Sequence, residues 1–227
     1  MRNIMSFNGI TNADMGVVLT SRATVATPQE RGESIEIPGR NGDLWKGEGA
    51  YSPIEIRVPI CVLPDADFAA VRAWLVGSGA LSFDGDSAYW NARISGDVHY
   101  SPRDFDGGYD STITFVAQPF RSVAAADIPV TASPQTVINP CAVYSEPLIT
   151  VVCNGSFEIR INDTILSVAD LSGTVMLDTQ QQEAYMGNQL VNNNMVGAFP
   201  VLRPGINTVS YSGAITSLTI TPRWRKI

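Results

Sequence analysis

Residues 54 to 62 read IEIRVPICV. Every even position, Ile54, Ile56, Val58, Ile60 and Val62, is aliphatic, while Glu55, Arg57, Pro59 and Cys61 hold the odd ones. Side chains alternate sides along a strand, so the pattern predicts a β-strand with one face in a core. Proline has no N–H to give to a ladder, so Pro59 predicts a sheet edge or a bulge at that point.

The same period of two recurs outward from this strand. Residues 89–94 and 111–117 read as further strands, and 17–25 with 34–37 read as the arms of an extended hairpin whose far end is 27–32. One segment breaks the pattern. Pro64-Asp65 predicts a helix start, Phe68, Val71, Trp74 and Leu75 fall on one helical face, and Gly77 closes the turn. The first half is therefore expected to pack one helix on a sheet. Residues 37–44, IPGRNGDL, are turn chemistry, because Gly39, Asn41 and Gly42 accept positive φ cheaply. Arg40 stands at the tip of that turn in a chain that carries a net charge of −7.

Between Arg121 and Glu146 the chain turns rich in Ala, Pro, Ser and Thr and loses its period, which predicts a linker. The expected division is 1–125, a linker over 126–146, and a second domain over 147–227. In that domain Phe157, Ile159 and Ile161 alternate with Glu158 and Arg160, and Asn162-Asp163 supplies a two-residue turn. Residues 175–177, 207–211 and 215–221 follow as strands, with Ser212-Gly213 turning the last pair. Many short strands and no helix predict a β-sandwich. Leu218, Ile220, Pro222 and Trp224 share one face, so Trp224 is expected in the core, with Arg223 and Arg225 facing outward.

With 227 residues the chain is long enough for one large or two modest cores. The opening MRNIMSFNGI lacks the apolar run of a signal peptide and no later stretch is long enough to span a bilayer, so neither secretory export nor a membrane anchor is expected. Cys61, Cys141 and Cys153 form an odd set without CxxC spacing, which argues against a disulfide framework and a zinc site. Up to Glu146 there are 17 acidic and 10 basic residues, and beyond it 5 of each. A surface of that sign does not hold nucleic acid by neutralising phosphates.

No catalytic constellation emerges. His99, the sole histidine, alternates with apolar neighbours and reads as structural or surface, and GxSxG, HExxH and GxxxxGK[ST] are absent. Asp104-Phe105-Asp106-Gly107-Gly108-Tyr109-Asp110 is the best metal candidate. It departs from a calcium loop, since Gly108 stands where a ligand belongs and no bidentate glutamate follows. Asn154-Gly155-Ser156 and Asn162-Asp163-Thr164 match glycosylation sequons but read as turns. No catalytic, metal or cofactor residue is expected.

Several stretches together resemble one family, the distal tail proteins (Dit) of phages with long, non-contractile tails. They are Phe7-Asn8-Gly9-Ile10, the turn from Ile37 through Pro38, Gly39, Arg40, Asn41, Gly42 and Asp43 to Leu44, and the helix ending Trp74-Leu75 before Gly79-Ala80-Leu81-Ser82-Phe83-Asp84. In the second half they are Val175-Met176-Leu177-Asp178, Ala184-Tyr185, Gly197-Ala198-Phe199-Pro200, Pro204-Gly205-Ile206-Asn207 and Thr221-Pro222-Arg223-Trp224. The resemblance implies a mainly β chain: an N-terminal β-sandwich with one α-helix and a belt-like hairpin, then a galectin-like β-sandwich. It implies a non-enzymatic hub, a homohexameric ring at the tail tip of the virion. The ring joins the tail tube protein to tail-associated or baseplate proteins, with DNA present only in transit through its channel. Assembly is expected in the host bacterial cytoplasm.

On that resemblance, Pro38, Gly39, Arg40, Asn41, Gly42 and Asp43 are the candidate ring-interface motif, with the Arg40 guanidinium suited to a neighbour's carboxylates or carbonyls. Two other readings stay open: a carbohydrate-binding adhesion module and a tail-tube subunit. Galectin sugar sites use a histidine and a stacking tryptophan, whereas here His99 lies outside the second domain and Trp224 falls on its core face.

Overall fold

The computed structural model describes residues 3–227. The chain is mainly β and divides into two compact units, the first running to Arg121 with Ile227 and the second Ser122–Lys226.

The first unit holds a nine-stranded antiparallel sheet. Ile54–Val62 pairs along its whole length with Tyr109–Ala117, in unbroken register from Val62 opposite Tyr109 to Ile54 opposite Ala117. Its other side meets two short strands, Val17–Leu19 and Thr24–Val25. Pro59 therefore occupies neither an outermost strand nor a bulge. Its carbonyl accepts from the Thr20 N–H at 3.1 Å, so its backbone faces the side where the neighbour breaks between Leu19 and Thr24. The missing donor falls in that gap and costs no ladder hydrogen bond.

The sheet curls until it faces itself. Met5–Phe7 and Tyr109–Ala117 are separated in the sheet by Ser78–Phe83 and Trp90–Ile94. A flat sheet would set them about 14 Å apart, yet the Phe7 and Phe115 rings lie 5.3 Å apart. The helix Phe68–Trp74 closes the core with Val71, Trp74 and Leu75. It starts later than Pro64-Asp65: the Asp67 carboxylate accepts from the N–H groups of Ala69 and Ala70 at 3.0 and 3.1 Å, as an N-cap does. Trp74 Nε1 donates to the Phe7 carbonyl at 3.0 Å and ties the helix to the opening strand.

The hairpin differs from expectation. Its arms are Glu30–Glu36 and Asp43–Tyr51, so its far end is the IPGRNG turn, not residues 27–32. The stretch 17–25 instead splits into the two short strands beside Ile54–Val62.

The second unit is an eight-stranded sheet built on three long strands, Leu148–Ile161, Thr164–Asp178 and Gly205–Thr221. Leu148–Ile161 lies between the other two along its whole length, and those two change their outer partners. Gly205–Thr221 pairs with Gln135–Asn139 from Gly205 to Val209 and with Ile128–Pro129 near its end. Thr164–Asp178 pairs with Met195–Gly197 and then with Glu183–Met186. Ile149, Val151, Phe157, Ile159 and Ile161 from both halves of one strand meet in a single core, so the two leaves are halves of one folded-over sheet. Asn162 turns the first hairpin at φ 55° as expected. Ser212-Gly213 does not turn. It lies inside the 17-residue strand, where the register shifts against Leu148–Ile161. Gly213, at φ 90°, leaves room for the Ser156 carbonyl, which a Cβ would approach to 2.5 Å.

Residues 126–146, expected as a linker, carry the strands Ile128–Pro129 and Gln135–Asn139, and Ser145 forms a bridge to Leu202. All of them pair within the second unit. Trp224 is buried there as its alternation predicted. Arg223 and Arg225 leave the core face but do not stand free. Arg225 donates to the Tyr144 carbonyl at 3.0 and 2.9 Å and to Glu146 at 2.8 Å.

Candidate functional site

The IPGRNG turn caps a ribbon that belongs to neither main sheet. The Arg40 N–H donates to the Ile37 carbonyl at 3.1 Å, and Gly39 and Gly42 take φ 82° and 76°. The Arg40 side chain is exposed and makes no hydrogen bond or ion pair among the described residues. Pro38, Asn41 and Asp43 are exposed beside it. Ser34 Oγ donates to Asp43 at 2.6 Å, which ties the base of the turn across the two arms.

Residues opposite one another in an antiparallel pair share a face. Ile35 stands opposite Leu44 with Glu33 opposite Lys46, while Ser34 stands opposite Trp45 with Glu36 opposite Asp43. Each face thus carries one apolar patch next to a charged pair. Trp45 is 55% exposed and Leu44 45%. The indole lies across Gly32, where a Cβ would come within 2.6 Å of the ring. At the base, the Gly49 N–H donates to the Glu30 carboxylate at 3.2 Å. A two-stranded hairpin is marginal in water by itself, and this one spends its largest side chains on solvent.

The other positions singled out in the sequence have ordinary occupations. His99 is exposed. Two of the three carboxylates of the 104–110 loop face Arg103, Asp106 at 3.0 Å and Asp110 at 3.8 Å, and Asp106 also accepts from the Gly108 N–H at 3.1 Å. Among the described residues no cluster of three or more His, Cys, Asp or Glu is placed to hold a metal. Cys61, Cys141 and Cys153 are buried free thiols. Asn162 holds Asn207 and the Thr208 N–H at 2.8 and 3.0 Å, and Asn154 accepts from Ser172 at 3.0 Å, so both sequon amides are engaged. No helix among the described residues is long and apolar enough to cross a membrane.

Sequence reasoning located the turn but missed the ribbon's apolar contribution. The signal was available in Leu44-Trp45, two large side chains in a stretch whose flanking Gly47 and Gly49 give no core alternation.

No protein-family model matches the chain, and no curated protein matches it. Among solved structures, the phage SPP1 Dit protein, described as a paradigm of the hub adsorption apparatus in phages infecting Gram-positive bacteria, aligns over 100% of both chains. The TM-score is 0.72 at 15% identity. This chain has the Dit fold. Two structures of the phage p2 baseplate in its activated conformation, with Sr and with Ca, align at TM-scores of 0.50 and identities of 8% and 9%. They cover 97% and 100% of this chain and 98% and 99% of theirs. The Dit likeness takes in both units, so the pairing of a helix-bearing sheet with a second curled sheet is part of the shared fold. At such identities, fold is what is shared.

Proposed function

We propose that the protein is a distal tail protein, the structural hub of a long, non-contractile phage tail. Six copies close a ring at the tail tip, joining the tail tube protein above to tail-associated or baseplate proteins below, and DNA crosses the centre only in transit. The observation that carries this reading is the full-length likeness to the SPP1 Dit protein across both units in order. The exposed ribbon supports it: a ring needs head-to-tail contacts between two different surfaces, and a hairpin with exposed Leu44, Trp45 and Arg40 supplies one of them. The acidic excess of the first 146 residues suits a bore that repels phosphate. On this reading the protein is a component of the virion, assembled in the host cytoplasm, and works by shape rather than by catalysis.

Electron microscopy and native mass measurement of the purified chain test the reading. Closed six-fold annuli are the expected result. A chain that stays single at high concentration, or that polymerises into long tubes, overturns it.

A further inference from the structure

The loop at residues 103–108 presents one aromatic side chain outward on a stiff support. Phe105 is 80% exposed. The Arg103 guanidinium lies 4.4 Å from its ring centroid and is itself held by Asp106 at 3.0 Å and by the buried Cys61 sulfur, to which it donates at 2.6 Å. Two backbone hydrogen bonds close the loop, from the Arg103 N–H to the Gly108 carbonyl at 2.8 Å and from the Gly107 N–H to the Arg103 carbonyl at 3.0 Å. An exposed aromatic with its rotamer supported in this way is what an interface anchor requires, because little entropy remains to be lost on docking. Asp104, beside it, is exposed and makes no hydrogen bond or ion pair among the described residues.

The opposite end of the same unit carries an open pocket of about 340 Å³. Leu19, Ala23, Val25, Phe83 and Trp90 supply apolar wall. Two aspartates also line it, and both are engaged. Asp86 pairs with Arg121 at 2.7 Å, and Asp84 accepts from the Ile4 N–H at 3.2 Å. Arg22, on the same lining, is exposed and makes no ion pair among the described residues.

The strand Ile54–Val62 measures the separation. Val62 pairs with Tyr109, next to the Phe105 loop, and Ile56 pairs with Val25, on the pocket's wall. The six strand steps from Ile56 to Val62 put these two points about 20 Å apart, so one copy cannot fill its own pocket. A head-to-tail assembly can.

We propose that Phe105 of one copy docks in the Trp90 pocket of the next, with Asp104 paired to Arg22 across the joint. The commitment to a second copy rests on complementarity: the chain carries both an unpaired carboxylate beside an exposed aromatic and an unpaired guanidinium beside a pocket with an apolar wall. The inference deepens the ring reading and rests on it, by adding a contact distinct from the ribbon.

The test is assembly of the full chain followed by mass in solution across a dilution series. Because Phe105 is exposed, Phe105→Ser leaves the fold intact and is expected to raise the concentration at which the assembly falls apart about 30-fold or more, as loss of an aromatic anchor does. Asp104→Arg and Arg22→Asp each weaken assembly alone, and combining them restores it. A Phe105→Cys, Ala23→Cys variant gives covalent multimers on oxidation. If the Phe105→Ser and single charge variants assemble as the parent does, the docking proposal is overturned and the ring stands. If the unaltered protein stays single, the ring reading and this contact fall together.

Discussion

The Arg223 guanidinium grips the Asp178 carboxylate with two hydrogen bonds of 2.7 and 2.8 Å, one nitrogen to each oxygen. Only 3% of the Asp178 side chain is exposed. Burial by itself pushes this carboxyl up, but the Arg223 hydrogen bonds and charge, with the N–H groups of Gln181 and Gln180 at 3.2 and 3.0 Å, outweigh it and hold the group below the usual carboxylate range. Arg223 sits at φ 50°, an uncommon conformation for a non-glycine residue.

Asp178→Asn is expected to destabilise the second unit by about 3 kcal/mol, the low end for a broken buried pair because Arg223 stays partly in water. A carboxylate lowered in the folded state contributes stability that is complete above the unfolded value and fades as pH falls through the folded one. Chemical denaturation from pH 7 to 2 should therefore show the two proteins differing most above pH 4 and converging at the acid end. A constant difference across that range would contradict this account.

Gly213→Ala is expected to cost more than an ordinary surface change, about 2–4 kcal/mol. The added Cβ meets the Ser156 carbonyl at 2.5 Å and the Phe157 Cα at 2.8 Å, backbone atoms that cannot swing aside, and it does so at positive φ. Thermal unfolding followed by circular dichroism checks it. A melting temperature equal to the parent's would show that the bulge relaxes freely.

Asp67→Ala removes the cap from two N–H groups of a seven-residue helix and should cost about 1 kcal/mol. Asp67→Ser, which keeps an acceptor at that position, should recover most of it. Denaturant midpoints of the three proteins decide the matter.

Arg40→Ala and Trp45→Ser should leave the unfolding free energy within about 0.5 kcal/mol, since both side chains are exposed in their own unit. On the ring reading both should lower the fraction of assembled protein. Sedimentation at matched concentrations reads that fraction, and unchanged assembly in both variants would remove the ribbon from the interface.

The division between what the sequence revealed and what it hid is physical. Ile54–Val62 and Phe157–Ile161 were legible because one face is buried and the other is not, so composition alternates with the pleat. The ribbon was not, since Glu30–Glu36 and Asp43–Tyr51 bury neither face and leave no period to read. Its true arms surfaced only with the pairing of Ile35 to Leu44. Ser212-Gly213 looked like a hairpin turn because a bulge and a turn ask the same thing of glycine, positive φ and a missing Cβ. Here the core-facing positions run Val209, then Leu218 and Ile220, a change from odd to even that marks an inserted residue in a continuous strand. The 126–146 stretch failed as a linker because edge strands of two and five residues are too short to show a period. The candidate turn was located from its glycines and its arginine alone, but what surrounds it was not.

The three bent strands of the second unit have a mechanical consequence. Because each runs through both leaves, no seam exists along which one leaf could peel from the other while staying intact. Load applied at either leaf passes along continuous backbone into its counterpart, so the unit should yield all at once and at a single force, rather than opening like a clam.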